Sequence, residues 1–268
     1  MSYPNVLYRD YGDEKVAQST SIGGGPLGQL MILPDGRKFR HAKAGAGALL
    51  AGQVVSNSAG VAGHGNIAAS GLKASATVTH NLAGATDVHV ATSLAAFTKD
   101  QFAGGVLNVI GPAGSTAYIG RVYKIKGNEA AASVGVGGAA TIHLYQNDPL
   151  KVALAPTSTL VSLRKSPYQD MIPKDGATII APPVGAAVVA VSANFYCWIQ
   201  TRGECSLLQA GTVCVDGSPI ICSSVEAGSV TVALSAAAAL TISLNHHIGF
   251  ALEGQAASTA VMAFLTIE

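Results

Sequence analysis

Leu30-Met31-Ile32-Leu33-Pro34-Asp35-Gly36-Arg37-Lys38-Phe39-Arg40-His41 is the stretch from which the fold class can be read. Proline presets φ at the second position of a tight turn, and Asp-Gly behind it accommodates the rest. With short apolar and mixed runs on either side, the segment predicts a β-hairpin. The same grammar repeats downstream. Short alternating or apolar runs at Ala74–His80, Asp87–Ala91, Gly105–Ile110, Ile119–Lys126, Ala140–Gln146 and Leu160–Arg164 are each bounded by Gly, Pro, Asn or Asp. From Val188 onward the runs Val188–Val191, Tyr196–Gln200, Gly211–Val215, Ile220–Ser223, Val230–Leu234, Ile248–Leu252 and Val261–Ile267 follow one another across short turns. Such spacing is what a barrel or sandwich needs.

Upstream of the hairpin, residues 1–29 combine a tyrosine-rich polar opening (Tyr3, Tyr8, Tyr11) with the run Ser21-Ile22-Gly23-Gly24-Gly25-Pro26. They predict an extended arm that orders only on a partner. Residues 44–72 are rich in Ala and Gly without a sustained 3.6-residue apolar face, so they predict irregular chain with at most a short helix near Ala46–Ala51. Pro167, Pro173, Pro182 and Pro183 punctuate a connection. The expected architecture is mainly β: an arm (1–29), a first module (30–174) and a small C-terminal barrel module (175–268).

Charge is scarce, 12% of residues where about 25% is usual, and hydrophobic residues make up 49%. A chain so apolar with a formal charge of +1 is not disordered over most of its length, and its uncharged surface suits an assembly subunit. The few charges are segregated. Residues 1–174 carry 15 Lys+Arg against 9 Asp+Glu, whereas residues 175–268 carry Arg202 alone against 6 acids, about +6 and −5. Opposite-sign ends suit head-to-tail or subunit-to-lattice docking. The polar opening predicts no signal peptide, and apolar runs broken by Gly and Pro predict no membrane-spanning helix.

Catalytic signatures are weak. The seven histidines are scattered outside ligand spacing, and His246-His247 would face opposite sides of a strand. Cys197, Cys205, Cys214 and Cys222 lack a CxxC pair and read as small buried residues of successive strands. The glycine runs lack the Lys-Ser/Thr of a phosphate loop, and no GxSxG elbow occurs. No catalytic residue, metal or cofactor is therefore assigned. Arg37, Lys38, Arg40 and Lys43 form a basic cluster with charges on both faces of a strand, which reads as an exposed edge or hairpin tip. Together with Tyr8 and Tyr11 of the arm they are the candidate interface residues. Around the sole Trp, Tyr196, Trp198 and Gln200 would share one strand face and Cys197 and Ile199 the other, a core strand.

Thr98-Lys99-Asp100-Gln101-Phe102-Ala103-Gly104-Gly105-Val106-Leu107, Tyr123-Lys124-Ile125-Lys126-Gly127-Asn128, Tyr145 to Leu150 with Val152-Ala153-Leu154, Tyr196-Cys197-Trp198-Ile199-Gln200-Thr201-Arg202-Gly203 and Ile248-Gly249-Phe250-Ala251-Leu252-Glu253 resemble virion structural proteins of tailed bacteriophages, especially marine ones. The resemblance covers residues 75–268. Its last module resembles the small β domains of phage decoration proteins. It implies a capsid cement or decoration protein, seated as a trimer on the outside of the major capsid protein's shell and assembled in the host cytoplasm. Nucleic acid is not an expected partner. Two rival classes share parts of the composition. A tail or fibre component would be Gly- and Ala-rich too, but extended repeats are missing, and a carbohydrate-binding β domain would want more aromatics than the 6% present.

Overall fold

The computed structural model describes residues 6–21, 25–57, 72–74, 81–92, 96–111, 120–130, 138–154, 159–176, 181–233, 247–253 and 260–268. In chain order the strands are β1 (Val6–Tyr8), β2 (Ala17–Gln18), β3 (Leu30–Ile32), β4 (Lys38–Lys43), β5 (Val54–Asn57), β6 (Leu72–Ala74), β7 (Asp87–Thr92), β8 (Val106–Gly111) and β9 (Arg121–Asn128). They continue with β10 (Gly138–Leu144), β11 (Leu160–Arg164), β12 (Met171–Pro173), β13 (Pro183–Ala187), β14 (Tyr196–Leu208), β15 (Pro219–Cys222), β16 (Val230–Val232), β17 (His247–Glu253) and β18 (Ala260–Thr266). Among the described residues the one helical segment is a 3-10 turn at Asp13–Lys15. The protein is mainly β and sandwich-like.

Two compact units share the chain: Met1–Ala59 with Pro167–Glu268, and Gly60–Ser166. The first unit holds a twelve-stranded sheet with the path β1-β3-β4-β14-β18-β17-β15-β16. Its hub is β14, thirteen residues long, which takes β4 along its first half and β18 along its second, with β13 and β2 also paired to it. The pairing register shifts between Gln200 and Arg202. Gly203 follows with φ +92°, and a Cβ there would lie 2.8 Å from Cγ of Arg37, so glycine lets the arginine stem cross the strand. Because β14 is apolar on both faces, it serves two packed layers. Cys197 and Ile199 join Val55, Met171 and Ala187 on one side, and Trp198 meets Met31 and Phe39 on the other. A further core gathers Cys205, Leu207, Ile220, Ile248, Val261 and Leu265.

In the second unit β10, β7, β6, β11, β8 and β9 each pair with two neighbours, so the pairing order returns to its start. Alternation dictates what fills it. Val88, Val90, Leu107, Val109, Tyr123, Ile125, Ile142, Val161 and Leu163 point inward, with Phe97, Phe102, Leu150 and Leu154 added from loops.

Several expectations are corrected. The division at residue 174 gives way to a second unit inserted within the first, because β4 pairs with β14 and β5 with β12 and β13. The chain re-enters the first unit at Pro167, where the proline-rich connection begins. The arm is not free: β1 pairs in parallel with β3, Arg9 N–H donates to the Ile32 carbonyl (3.2 Å), and β2 pairs with β14. Ala46–Ala51 forms bends, a bridge residue and a turn instead of helix. Val188–Val191 and Gly211–Val215 form no strands; Val191 makes an isolated bridge to Leu49, and Cys214 is buried in a loop. Cys197 and Cys205 share one strand instead of lying on successive ones. Of the expected strand Ala74–His80, all but Ala74 lies outside the described residues.

Candidate functional site

The hairpin turn carries its own reinforcement. Asp35 Oδ1 accepts from Arg37 N–H (3.0 Å), and Asp35 Oδ2 accepts from Arg37 Nε (2.7 Å). Beside it, Tyr8, Arg9 and Asp10 of the first strand's end face Leu33, Pro34 and Gly36 across an open cleft of about 600 Å³. Tyr8 is 79% exposed and Tyr11 61%, so two aromatic rings stand in solvent at one rim of the sheet. The structure thus brings arm and hairpin tip together.

It does not bring the basic cluster there as free charge. Arg37 is held between Asp35 and the buried Glu14 (3.7 Å), with its guanidinium 5.7 Å from the Phe39 ring centre. Glu14 in turn accepts from the Gly12 amide at 2.6 Å. Arg40 donates from Nε and Nη2 to the Glu268 carboxylate (2.6 to 3.0 Å) and from Nη1 to the Gly28 carbonyl (2.9 Å), over the face of Tyr168. Glu268 also accepts from the Thr201 hydroxyl. Lys38 is half-buried, its carbonyl accepting from Thr201, and the Lys43 ammonium sits 5.4 Å from the Tyr196 ring centre. Far from being an edge, β4 lies between β3 and β14, and six residue steps of extended chain separate Arg37 from Lys43 by about 20 Å. Of the six candidate residues, Tyr8 and Tyr11 remain freely presented. The four bases are partly buried, and two are paired with carboxylates: Arg37 with its turn neighbour Asp35 and the distant Glu14, Arg40 with the distant Glu268.

His41 is the polar group at the centre of this strand. It is fully buried, stacked on Tyr196 (5.5 Å) and tilted against Trp198 (5.2 Å). Its Nδ1 lies 3.2 Å from the Pro26 carbonyl, which can only accept, so Nδ1 carries the proton. Nε2 has no partner among the described residues. Burial depresses its pKa below 6.5, against an opposing pull from the Pro26 and Gly25 carbonyls. The unfolded chain therefore binds a proton that the folded one resists, so this stabilisation is full above about pH 6.5 and is lost as pH falls from there through the folded-state value. Trp198, the sole tryptophan, touches His41 and reports it directly. Urea unfolding followed by Trp198 fluorescence is expected to show a lower midpoint at pH 5.5 than at 7.5, with His41→Phe flattening the dependence. Equal wild-type midpoints would refute the assignment.

A second polar cluster escaped the sequence. His143 and Asp87 are cross-strand partners on β10 and β7, and Nδ1 lies 2.8 Å from Asp87 Oδ1 while Nε2 lies 3.3 Å from Glu129 Oε1. The Asp87 hydrogen bond leads in raising this pKa, against burial and helped by Glu129. Both ring nitrogens are thus committed to carboxylates. All four cysteines are buried and free, and burial pushes the thiols of Cys197, Cys205 and Cys222 up to about 12, so these three are protonated at neutral pH. Among the described residues, no group of three or more His, Cys, Asp or Glu is placed to hold a metal ion. His247 rests against Phe250, and His246 lies outside the described residues. Comparison with protein-family models, curated proteins and solved structures finds no match to this chain.

Proposed function

We propose that this chain is a non-enzymatic structural subunit that docks on the outside of a tailed-phage capsid and stabilises the shell, as a cement or decoration protein acting as a homotrimer. The observation that carries the reading is the rim built by β1 and the β3–β4 turn, where exposed Tyr8 lines a cleft at the sheet edge and exposed Tyr11 follows three residues on. Aromatic side chains held in solvent on an ordered scaffold are characteristic anchors of protein interfaces, because they bury much area for little lost conformational freedom. The partner would be the major capsid protein, with Tyr8 and Tyr11 as first contacts. Arg37 and Arg40 would serve by holding the rim in shape, being already paired within the chain. The low charge content supports burial of further surface between copies.

Quantifying the chain against the major capsid protein in purified particles tests this. Near-equal copy number, reduced by Tyr8→Ala/Tyr11→Ala, is the expected result. A few copies per particle would instead indicate a tail component, and absence from particles would end the virion reading.

A further inference from the structure

The two units carry opposite charge. Gly60–Ser166 holds 8 Lys+Arg against 4 Asp+Glu, and the remainder of the chain holds 8 against 11. Strand register shows where that segregation reaches the surface. On the first unit, Glu204, Phe264, Phe250 and Pro219 lie side by side across β14, β18, β17 and β15, and Ser206, Met262 and Glu253 form the adjacent row. Phe250 is 44% exposed, Met262 38%, and Leu252, the extra residue of the bulge before Glu253, 40%. This is an apolar sheet face flanked by two carboxylates, with Arg202 at its end and Arg37, already paired with Asp35 and Glu14, beside Glu204. Neither Glu204 nor Glu253 has an ion pair among the described residues.

On the second unit, Arg164, Val106 and Lys124 align across β11, β8 and β9, and Asn108 and Val122 form the next row. Val122 is 53% exposed, and Lys126 continues the outward face of β9. The Asp148 carboxylate reaches this face and accepts from the Lys124 amide at 2.9 Å. Lys124 Nζ is turned onto the Gly104 carbonyl, which leaves Arg164 and Lys126 as its outward charges.

We infer that these faces dock on each other between two copies of this chain: the apolar, carboxylate-flanked β17–β18 face of one copy on the basic β8–β9–β11 face of the next. Each face has an apolar centre and charged flanks, and the flanks are of opposite sign, so association buries exposed Phe250, Met262 and Val122 while pairing Glu204 and Glu253 with Arg164 and Lys126. The contact is heterologous, so each copy uses both faces, and association gives a ring where the rotation closes and an open chain where it does not. It deepens the self-association within the proposed assembly role and rests on that part of it alone.

Sedimentation velocity on the full chain tests the pairing. Wild type is expected to associate with rising concentration, more weakly at high salt. Glu204→Lys/Glu253→Lys and, separately, Lys126→Glu/Arg164→Glu should each weaken association by roughly 100-fold, because like charges then face each other. Mixing the two variants should restore association, which also shows that both are folded. A wild type that stays monomeric, or a mixture that fails to reassociate, overturns the inference. So does loss of a single-stranded DNA probe's binding on reversal of the basic face with association untouched. A monomer that still decorates particles would sink this contact and spare the shell reading; a self-associating chain missing from particles would do the reverse.

Discussion

Gly249→Ala is expected to destabilise the first unit by about 3 kcal/mol or more, the upper end of what overpacking a well-filled site does. Gly249 sits within β17, paired to Leu265 of β18 and Ile220 of β15. A methyl group there would lie 1.9 Å from the Phe264 carbonyl oxygen and 2.9 Å from its carbon, both backbone atoms. No rotamer relieves a clash with backbone, so the strands must part, and Ile248, Ala251, Ala263 and Leu265 lose their packing together. Gly217→Ala is the control. There φ is +73° but nothing lies within 4 Å, so only the left-handed backbone resists, at about 1 to 2 kcal/mol. Urea unfolding by Trp198 fluorescence, with soluble yield as a second readout, should rank Gly249→Ala well below Gly217→Ala. Equal effects would mean that conformation, and not close approach, explains the glycine at 249.

The same contrast explains what could be read in the sequence. Gly217 follows Asp216 in a turn signal and Pro34-Asp35-Gly36 another, so both turns are legible from local chemistry. Gly249 is not, since its reason is a carbonyl on a strand fifteen residues away. Mainly β architecture followed from short runs and frequent turns. Partners did not: period-two alternation says which residues share a face and nothing about which strand lies beside it. That is why β4 was expected at an edge and is found between β3 and β14, and why a contiguous pair of modules gave way to an insertion. The bases of the candidate interface show the same limit. A row of four bases suggests free charge until Glu14 and Glu268 arrive from distant positions. Tyr8 and Tyr11 differ in standing largely exposed. Apolar runs such as Gly211–Val215 misled for a related reason: Val213 and Val215 are exposed, and the run meets no ladder.

Asn128→Ala is expected to destabilise the second unit by about 2 to 3 kcal/mol, through the hydrogen bonds that buried backbone groups lose with its side chain. Asn128 is fully buried at the end of β9. Its Oδ1 accepts from the Phe102 amide (2.9 Å), and its Nδ2 donates to the carbonyls of Thr98 (2.8 Å) and Glu129 (2.9 Å). Its own carbonyl accepts from the Asp100 amide, where the chain turns with φ +59°. One side chain therefore shapes the loop that delivers Phe97 and Phe102 to the core, two rings 5.6 Å apart edge to face. Replacing it takes the Asn128 acceptor from the Phe102 amide and one of two donors from the Thr98 carbonyl, which keeps the Gln101 amide at 3.3 Å; a buried group that loses its hydrogen bond costs about 1 to 3 kcal/mol when water cannot reach it. Gln101→Ala removes a bond from the same loop at the surface, where Gln101 Oε1 accepts from the Thr98 amide, and should cost under about 1 kcal/mol because water replaces it. Hydrogen exchange resolved by peptide separates the outcomes. Faster exchange throughout β8, β9 and β11 in Asn128→Ala would show that the loop and the core fold as one. Acceleration confined to residues 97–105 would make the loop a separable cap, and unchanged exchange would remove Asn128 as its anchor.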